Sequence, residues 1–416
     1  MGDYNLKLPS KSKPYLFPEY SLTGDLLSFL TCNLQYRYQN KGTLPPSKPV
    51  QRWFGEFIHG VLEEAYLEWD YKKTSFPWDW LEDIRPIEEQ IDLRLQTRGL
   101  YPYDEDLFFS MSNHPEVEYL NEHDHKKLAS ARAEKAINIW GKHLFPLIDS
   151  SEHLIKGVRP MPNFDKHRSR SNYYGINGVV DVLTSMKIND LEQSNLDNYD
   201  NMIIEYLKRN PDFQKRVRES DSEDYEIIID YKGMKRPPTS IGDSKAEDKW
   251  ETHKQQILTY SWLRSKQEDA KPIVAGIIFY LNELVPSKED LVLIKEELRN
   301  GMTDVGEKYP EDVELIENWE EDDKAPALSD EFKIDRSIRI ISVDESEKND
   351  ALLKFDSVVA NIEESLIREM QGCKIQEAWK ADSDERNCSA CDFRTFCKNN
   401  SVKTKDIKIP KYKLVI

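Results

Sequence analysis

The sequence predicts an α/β fold. Apolar, β-branched runs such as YEIIIDY at Tyr225–Tyr231 read as strands, and segments with apolar residues at helical spacing stand between and around them. A hydrophobic fraction of 38% in 416 residues is enough for a packed core.

The elements follow in order. Between Tyr20 and Tyr38, residues Leu26, Leu27, Phe29, Leu30 and Leu34 predict a short amphipathic helix, with Cys32 inside it or at its end. A longer helix carries Trp53, Phe54, Phe57, Ile58, Val61, Leu62, Ala65 and Tyr66 on one stripe, with His59 and Glu63 beside it. Residues 115–147 are helical in pattern. Strands are expected at Leu154–Val158, Tyr173–Leu183 and Tyr225–Tyr231, with the basic KHRSRS as a hairpin tip between the first two. The polar stretch 186–224 reads as an insertion, mostly helical at YLKRNPDFQKRVRES. A helix at Ala246–Arg264, a strand at Ile273–Leu281 and a strand at Ser337–Val343 come next, and a helix from Asp350 places Leu352, Phe355, Val359, Ile362 and Leu366 on one stripe. The expected organisation is a helical region over 1–150, a core over 151–284, an acidic insertion over 285–332, and a strand, helix and cysteine segment over 333–416.

A net charge of -18 argues against a protein that coats nucleic acid through bulk charge. Part of the acidity is concentrated in Glu311–Asp323, with eight acids and no base, which reads as a solvated insertion. The chain lacks an 18-residue apolar run and an N-terminal apolar stretch with a cleavage site, so a soluble, unsecreted, cytoplasmic protein without membrane contact is expected.

In the Tyr225 strand, Asp230 and Lys232 share one face while Ile227, Ile229 and Tyr231 share the other. In the strand before it, Asp181 is a lone charge on an apolar segment and wants a partner. Two carboxylates from neighbouring strands with a nearby amine suit Mg²⁺ or Mn²⁺ and an activated water, which is the chemistry of phosphodiester hydrolysis. Gln256 and Tyr260 follow at i, i+4 on one helical face.

In this order the motifs resemble the RecB-like PD-(D/E)XK nucleases, including the CRISPR-associated RecB-like exonucleases and the AddB-type helicase–nuclease subunits. The similarity runs through G-x3-H at Gly55–His59, G-x2-D at Gly178–Asp181, D-x-K at Asp230–Lys232 and Q-x3-Y at Gln256–Tyr260. It implies a restriction-endonuclease-like core, a central mixed β-sheet flanked by helices. It also implies that His59, Asp181 and Asp230 ligate the metal, that Lys232 serves the water, and that Gln256 and Tyr260 position the strand being cut. On residue chemistry, neutral imidazole is a common metal ligand, and glycines at 55 and 60 allow close backbone approach.

Cys388, Cys391 and Cys397 form C-x2-C-x5-C near the end, with Cys32 far upstream and Cys373 outside the set. Four thiolates suit either zinc or a [4Fe–4S] cluster. The same resemblance favours the iron–sulfur cluster, since such nucleases place one cysteine ahead of the G-x3-H helix and three after the core. Joining residue 32 to residue 388 would close a very long loop, the work of a staple. Phe393 and Phe396 would shield it.

Lys232, Lys235, Arg236, Lys245, Lys249 and Lys254, with Lys166, Arg168 and Arg170 of the hairpin tip, are expected to line a groove for a single-stranded backbone. The expected function is a metal-dependent DNA nuclease acting on single strands or ends in repair, recombination or anti-phage defence. The alternatives are a DNA-binding or helicase-associated assembly subunit on the same scaffold, with a helicase or defence-complex protein as partner, and an RNA-processing enzyme. No G-x4-G-K-[ST] motif marks a motor in this chain.

Overall fold

A computed structural model describes residues 17–40, 50–102, 107–114, 120–187, 201–219, 222, 224–238, 244–303, 305–381, 387–388, 391, 393–394 and 397. The chain divides into two units, one of residues 1–47, 156–178 and 350–416, the other of residues 48–155 and 179–349.

In the larger unit, the second half of β3 (Tyr173–Lys187) pairs antiparallel with β4 (Asp224–Lys232), β4 runs parallel to β5 (Ile273–Tyr280), and β5 pairs antiparallel with β6 (Ile338–Ser342). β2 (Ile148–Pro160) pairs with β3. The sheet is therefore mixed, as expected. Both faces of β4 are buried, not one: Ile227, Ile229 and Tyr231 join the apolar core, while Glu226, Ile228 and Asp230 are covered as well. The charge of Glu226 is met there by Arg264, at 2.8 and 2.9 Å.

The G-x3-H segment lies on α2 (Val50–Lys72), which follows α1 (Asn33–Asn40). Its predicted apolar stripe from Trp53 to Ala65 is buried. α3 (Arg85–Thr97), which sequence periodicity did not reveal, packs beside it. A Cβ on Gly60 would meet Ile91 of α3 at 3.1 Å, so this glycine does permit close approach, whereas Gly55 faces open space. Only α4 (His125–Ala136) and the turns after it fill the region expected to be helical from 115, and residues 115–119 lie outside the described residues.

The polar insertion holds α5 (Met202–Arg209) and α6 (Pro211–Glu219); Asn201 caps α5 by accepting from the amide of Ile203 at 3.0 Å. Ile203, Leu207 and Phe213 are part of the main core, so this segment is structural. α7 (Ser244–Arg264) covers β4 and β5. A Cβ on Gly276 of β5 would meet Ile257 of α7 at 2.2 Å, so the two elements touch where a methyl is missing.

The acidic region is also more ordered than its charge suggests. α8 (Lys288–Arg299), α9 (Pro310–Asn318) and α10 (Asp330–Ser337) enclose a second apolar cluster of Leu291, Ile294, Val305, Ile316, Trp319 and Phe332. Most acids of the 311–323 run are exposed, whereas Asp312 is buried and accepts from the Ser329 amide and hydroxyl. No helix of the described residues is long and apolar enough to cross a membrane.

In the smaller unit, β1 (Glu19–Ser21) pairs parallel with the first part of β3. The helix expected between Tyr20 and Tyr38 is interrupted at Cys32, whose backbone is extended, and resumes as α1. Most of α11 (Glu345–Met370) belongs here, starting five residues before the expected Asp350. Arg159 and Tyr174 converge on Asp356 of α11, and Tyr20 and Arg170 on its Glu363.

Candidate metal and active site

Strand register brings the carboxylates together. Val182 of β3 stands opposite Ile229 of β4, so Asp181 lies one rung further along, beside Asp230. Asp181 Oδ2 accepts from the Tyr231 amide at 2.7 Å, which fixes it against the D-x-K segment.

Asp230 is 2% exposed. Its Oδ1 accepts from Gln256 Nε2 at 2.9 Å, and the same nitrogen donates to the Tyr260 hydroxyl at 3.3 Å. Gln256 Oε1 accepts from Lys232 Nζ at 2.9 Å, and Lys232 Nζ lies 2.6 Å from Asp230 Oδ2. One amide thus orients both the carboxylate and the ammonium. Gln256 and Tyr260 are each 3% exposed and turned inward, where their hydrogen bonds support Asp230 and Lys232. Asp230 Oδ2 is buried and accepts no hydrogen bond despite its ion pair.

His59 of α2 completes the group, with Nδ1 3.4 Å from Asp181 Oδ1 and its ring edge-on to Tyr231. A further residue escaped sequence reasoning. Glu152 of β2 offers a carboxylate oxygen which, with ligand atoms of His59 and Asp181, forms a set within 4.8 Å of one another. Its φ of +47° is left-handed, a conformation that costs a non-glycine residue on the order of 1 kcal/mol. A lone acid in SSEH carries no spacing signal, and it stands ahead of the strand expected at Leu154–Val158.

The electrostatics are those of too many acids for the cations present. Burial pushes the Asp230 carboxyl up, Lys232 opposes this, and Asp181 adds to it. Burial also works against an ionised Asp181, but His59 and Lys232 outweigh it and hold the carboxyl below its usual range. Desolvation alone would lower His59; the Asp181 carboxylate raises it to about 9. Desolvation, then Asp181 and Glu63, push Glu152 up to about 7.

The proposed sites map unevenly onto what is known of other proteins. Residues 216–398 match the family model of the PD-(D/E)XK nuclease superfamily. Asp230, Lys232, Gln256 and Tyr260 fall inside that match, as do Cys388, Cys391 and Cys397, whereas His59, Glu152, Asp181 and Cys32 lie ahead of it. No curated protein matches the chain. Proteins of this superfamily are typically Mg²⁺- or Mn²⁺-dependent nucleases.

In the smaller unit, Cys32, Cys388, Cys391 and Cys397 all line one cavity, and Cys373 does not. Leu34 donates its amide to the Lys380 carbonyl at 3.1 Å, and Phe393 packs on Tyr38 with ring centres 5.2 Å apart, so the first and last described segments meet around the thiols. Phe396 lies outside the described residues.

Several of the bases expected to line a groove are engaged within the protein. Lys235 pairs with Glu297, Arg236 is buried and donates to the Asp335 carbonyl at 3.1 Å, and Lys254 pairs with Glu347. Arg168 and Arg170 pair with Glu364 and Glu363. The side chains of Lys245 and Lys249 lie outside the described residues; Lys166 is exposed.

Proposed function

We propose that the chain is a RecB-like, metal-dependent deoxyribonuclease that hydrolyses single-stranded DNA from or near its ends. The observation that carries this reading is the convergence of Asp181, Asp230 and Lys232 beside His59 and Glu152. The superfamily match over the D-x-K segment supports it independently.

The donor set fits a hard divalent cation: ligand atoms of His59, Glu152 and Asp181 lie within 4.8 Å of one another, and Asp230 stands beside Asp181 on the neighbouring strand. His59, Glu152, Asp181 and Asp230 would hold it. Bound there, Mg²⁺ or Mn²⁺ supplies charge for the phosphate oxygens and a more acidic water. Lys232, held by Gln256, points its ammonium at the same place and orients the attacking water. Tyr260 and Gln256 keep Asp230 turned toward the centre, while the Tyr231 amide does the same for Asp181.

The four cysteines fit a thiolate-held group, and the proposed one is a [4Fe–4S] cluster that ties the two ends of the smaller unit together. An anaerobic preparation assayed with Mn²⁺ on end-labelled single strands of both polarities tests the activity, and its colour and iron content test the cluster. Tight DNA binding without cleavage under any divalent cation would instead make the chain a binding subunit.

A further inference from the structure

β4 delivers its side chains to two helices in turn. Asp230 and Lys232 point to α7, where Gln256 binds both. Tyr231, between them, points the other way, into the apolar core that it shares with Phe54, Phe57 and Ile58 of α2. The next residue of α2 is His59, so this ligand of the candidate centre arrives from the side of the strand opposite to Gln256. The clamp that fixes Asp230 is on the wrong side to fix the imidazole.

The ion pair of His59 is a weak restraint. Nδ1 stands 3.4 Å from Asp181 Oδ1, beyond the usual length of an N–H···O bond, and the histidine side chain is 30% exposed. Contact at that distance leaves the ring free to turn about its two side-chain torsions. The Tyr231 ring supplies what is missing: it meets the imidazole at 89° with ring centres 6.0 Å apart, the edge-to-face arrangement that aromatic rings favour.

Tyr231 can act as a wall because it is itself held. It is 6% exposed, its ring lies at 29° to Phe279 with centres 6.2 Å apart, and Phe279 packs on Trp140 at 4.7 Å. Its backbone is engaged as well, the amide donating to Asp181 Oδ2 at 2.7 Å. We propose that the Tyr231 side chain is a positioning residue of the metal centre: its ring fixes His59 as its amide fixes Asp181, so that one residue sets the gap between two ligands carried by different elements. This rests on the nuclease reading of the site. The account requires the flat ring and not the hydroxyl, so phenylalanine serves at this position and an aliphatic side chain does not.

The test is Mn²⁺ binding to the full chain by calorimetry, with melting temperatures confirming that each variant is folded. Tyr231→Leu is expected to weaken Mn²⁺ binding about two- to tenfold, the size of one edge-to-face contact, and Tyr231→Phe to stay within about twofold of wild type. Should Tyr231→Leu fail to fold, Tyr231→Met, which fills the space without a flat ring, takes its place. The same substitution made in a His59→Ala background is expected to cost no further affinity, since a residue that acts through His59 then has nothing left to position. Unchanged Mn²⁺ affinity in the folded aliphatic variant overturns the proposal, as does a loss that phenylalanine fails to rescue or one that is as large without His59 as with it. Wild type that binds no Mn²⁺ removes the metal reading of the site and the positioning role with it, whereas tight binding by wild type and aliphatic variant alike removes the positioning role alone.

Discussion

Asp230–Lys232 and Lys235–Arg236 are two residues apart on the chain, and both are groups of buried charge, yet they are built differently. Around Lys235, the charges close on themselves. Arg336 donates to Glu283 at 2.6 Å and to Glu297 at 3.0 Å, Lys235 pairs with Glu297, and the Arg236 amide donates to Glu283 at 2.8 Å. Despite burial, Arg336 and Lys235 hold the Glu283 carboxyl below its usual range. Around Asp230 the acids outnumber their partners, and burial pushes its carboxyl up. Burial of charge is thus common to both groups, and an unfilled demand for positive charge sets the proposed site apart.

The comparison can be broken first at the catalytic group. Asp230→Ala and Lys232→Ala should each lower single-strand cleavage by about a thousandfold or more in an end-labelled assay, with melting temperatures close to wild type. Full activity in both folded variants would falsify the site.

The closed network should respond in the opposite sense. Arg336→Ala leaves Glu283 and Glu297 buried without their main partner and should cost about 3–5 kcal/mol in urea unfolding. Activity per folded molecule should be preserved at low denaturant.

A third buried acid sharpens the distinction, because Glu88 is satisfied by hydrogen bonds alone, from Ser130 at 2.7 Å and Trp80 at 3.2 Å. Burial raises its carboxyl from the ordinary 4.5 to about 8. The folded state then binds the extra proton, so this contribution is complete at pH below 4.5 and is lost as pH rises toward 8. Glu88→Gln should raise stability by a few kcal/mol above pH 8 and change little near pH 4, measured as thermal melting across pH.

The smallest effect concerns the strained ligand. Glu152→Gly should relieve the left-handed backbone and leave stability unchanged or higher by up to about 1 kcal/mol, while Mn²⁺ binding by calorimetry weakens. Unaltered Mn²⁺ affinity would remove Glu152 from the ligand set.

Much of this arrangement is legible before any coordinates. Strand alternation placed Asp230 and Lys232 on one face, helical spacing paired Gln256 with Tyr260, and the burial of the α2 stripe follows its periodicity. Other features depend on partners distant in sequence. Nothing near Lys235 reveals that Glu297 will neutralise it. The run of acids at 311–323 hid Trp319, whose burial organises that region. Glu152 becomes visible only when β2 lies beside β3, and Cys32 gains its extended backbone from a helix break that apolar spacing does not register.

The contact at Gly276 has a mechanical consequence. Ile257, which would collide with any side chain there, is the immediate neighbour of Gln256. The stand-off between helix and sheet is thus metered by one absent methyl, and the reach of the amide that clamps Asp230 to Lys232 is metered with it. Enlarging that position would act as a wedge from behind the strand, loosening the chemistry without altering any group that performs it.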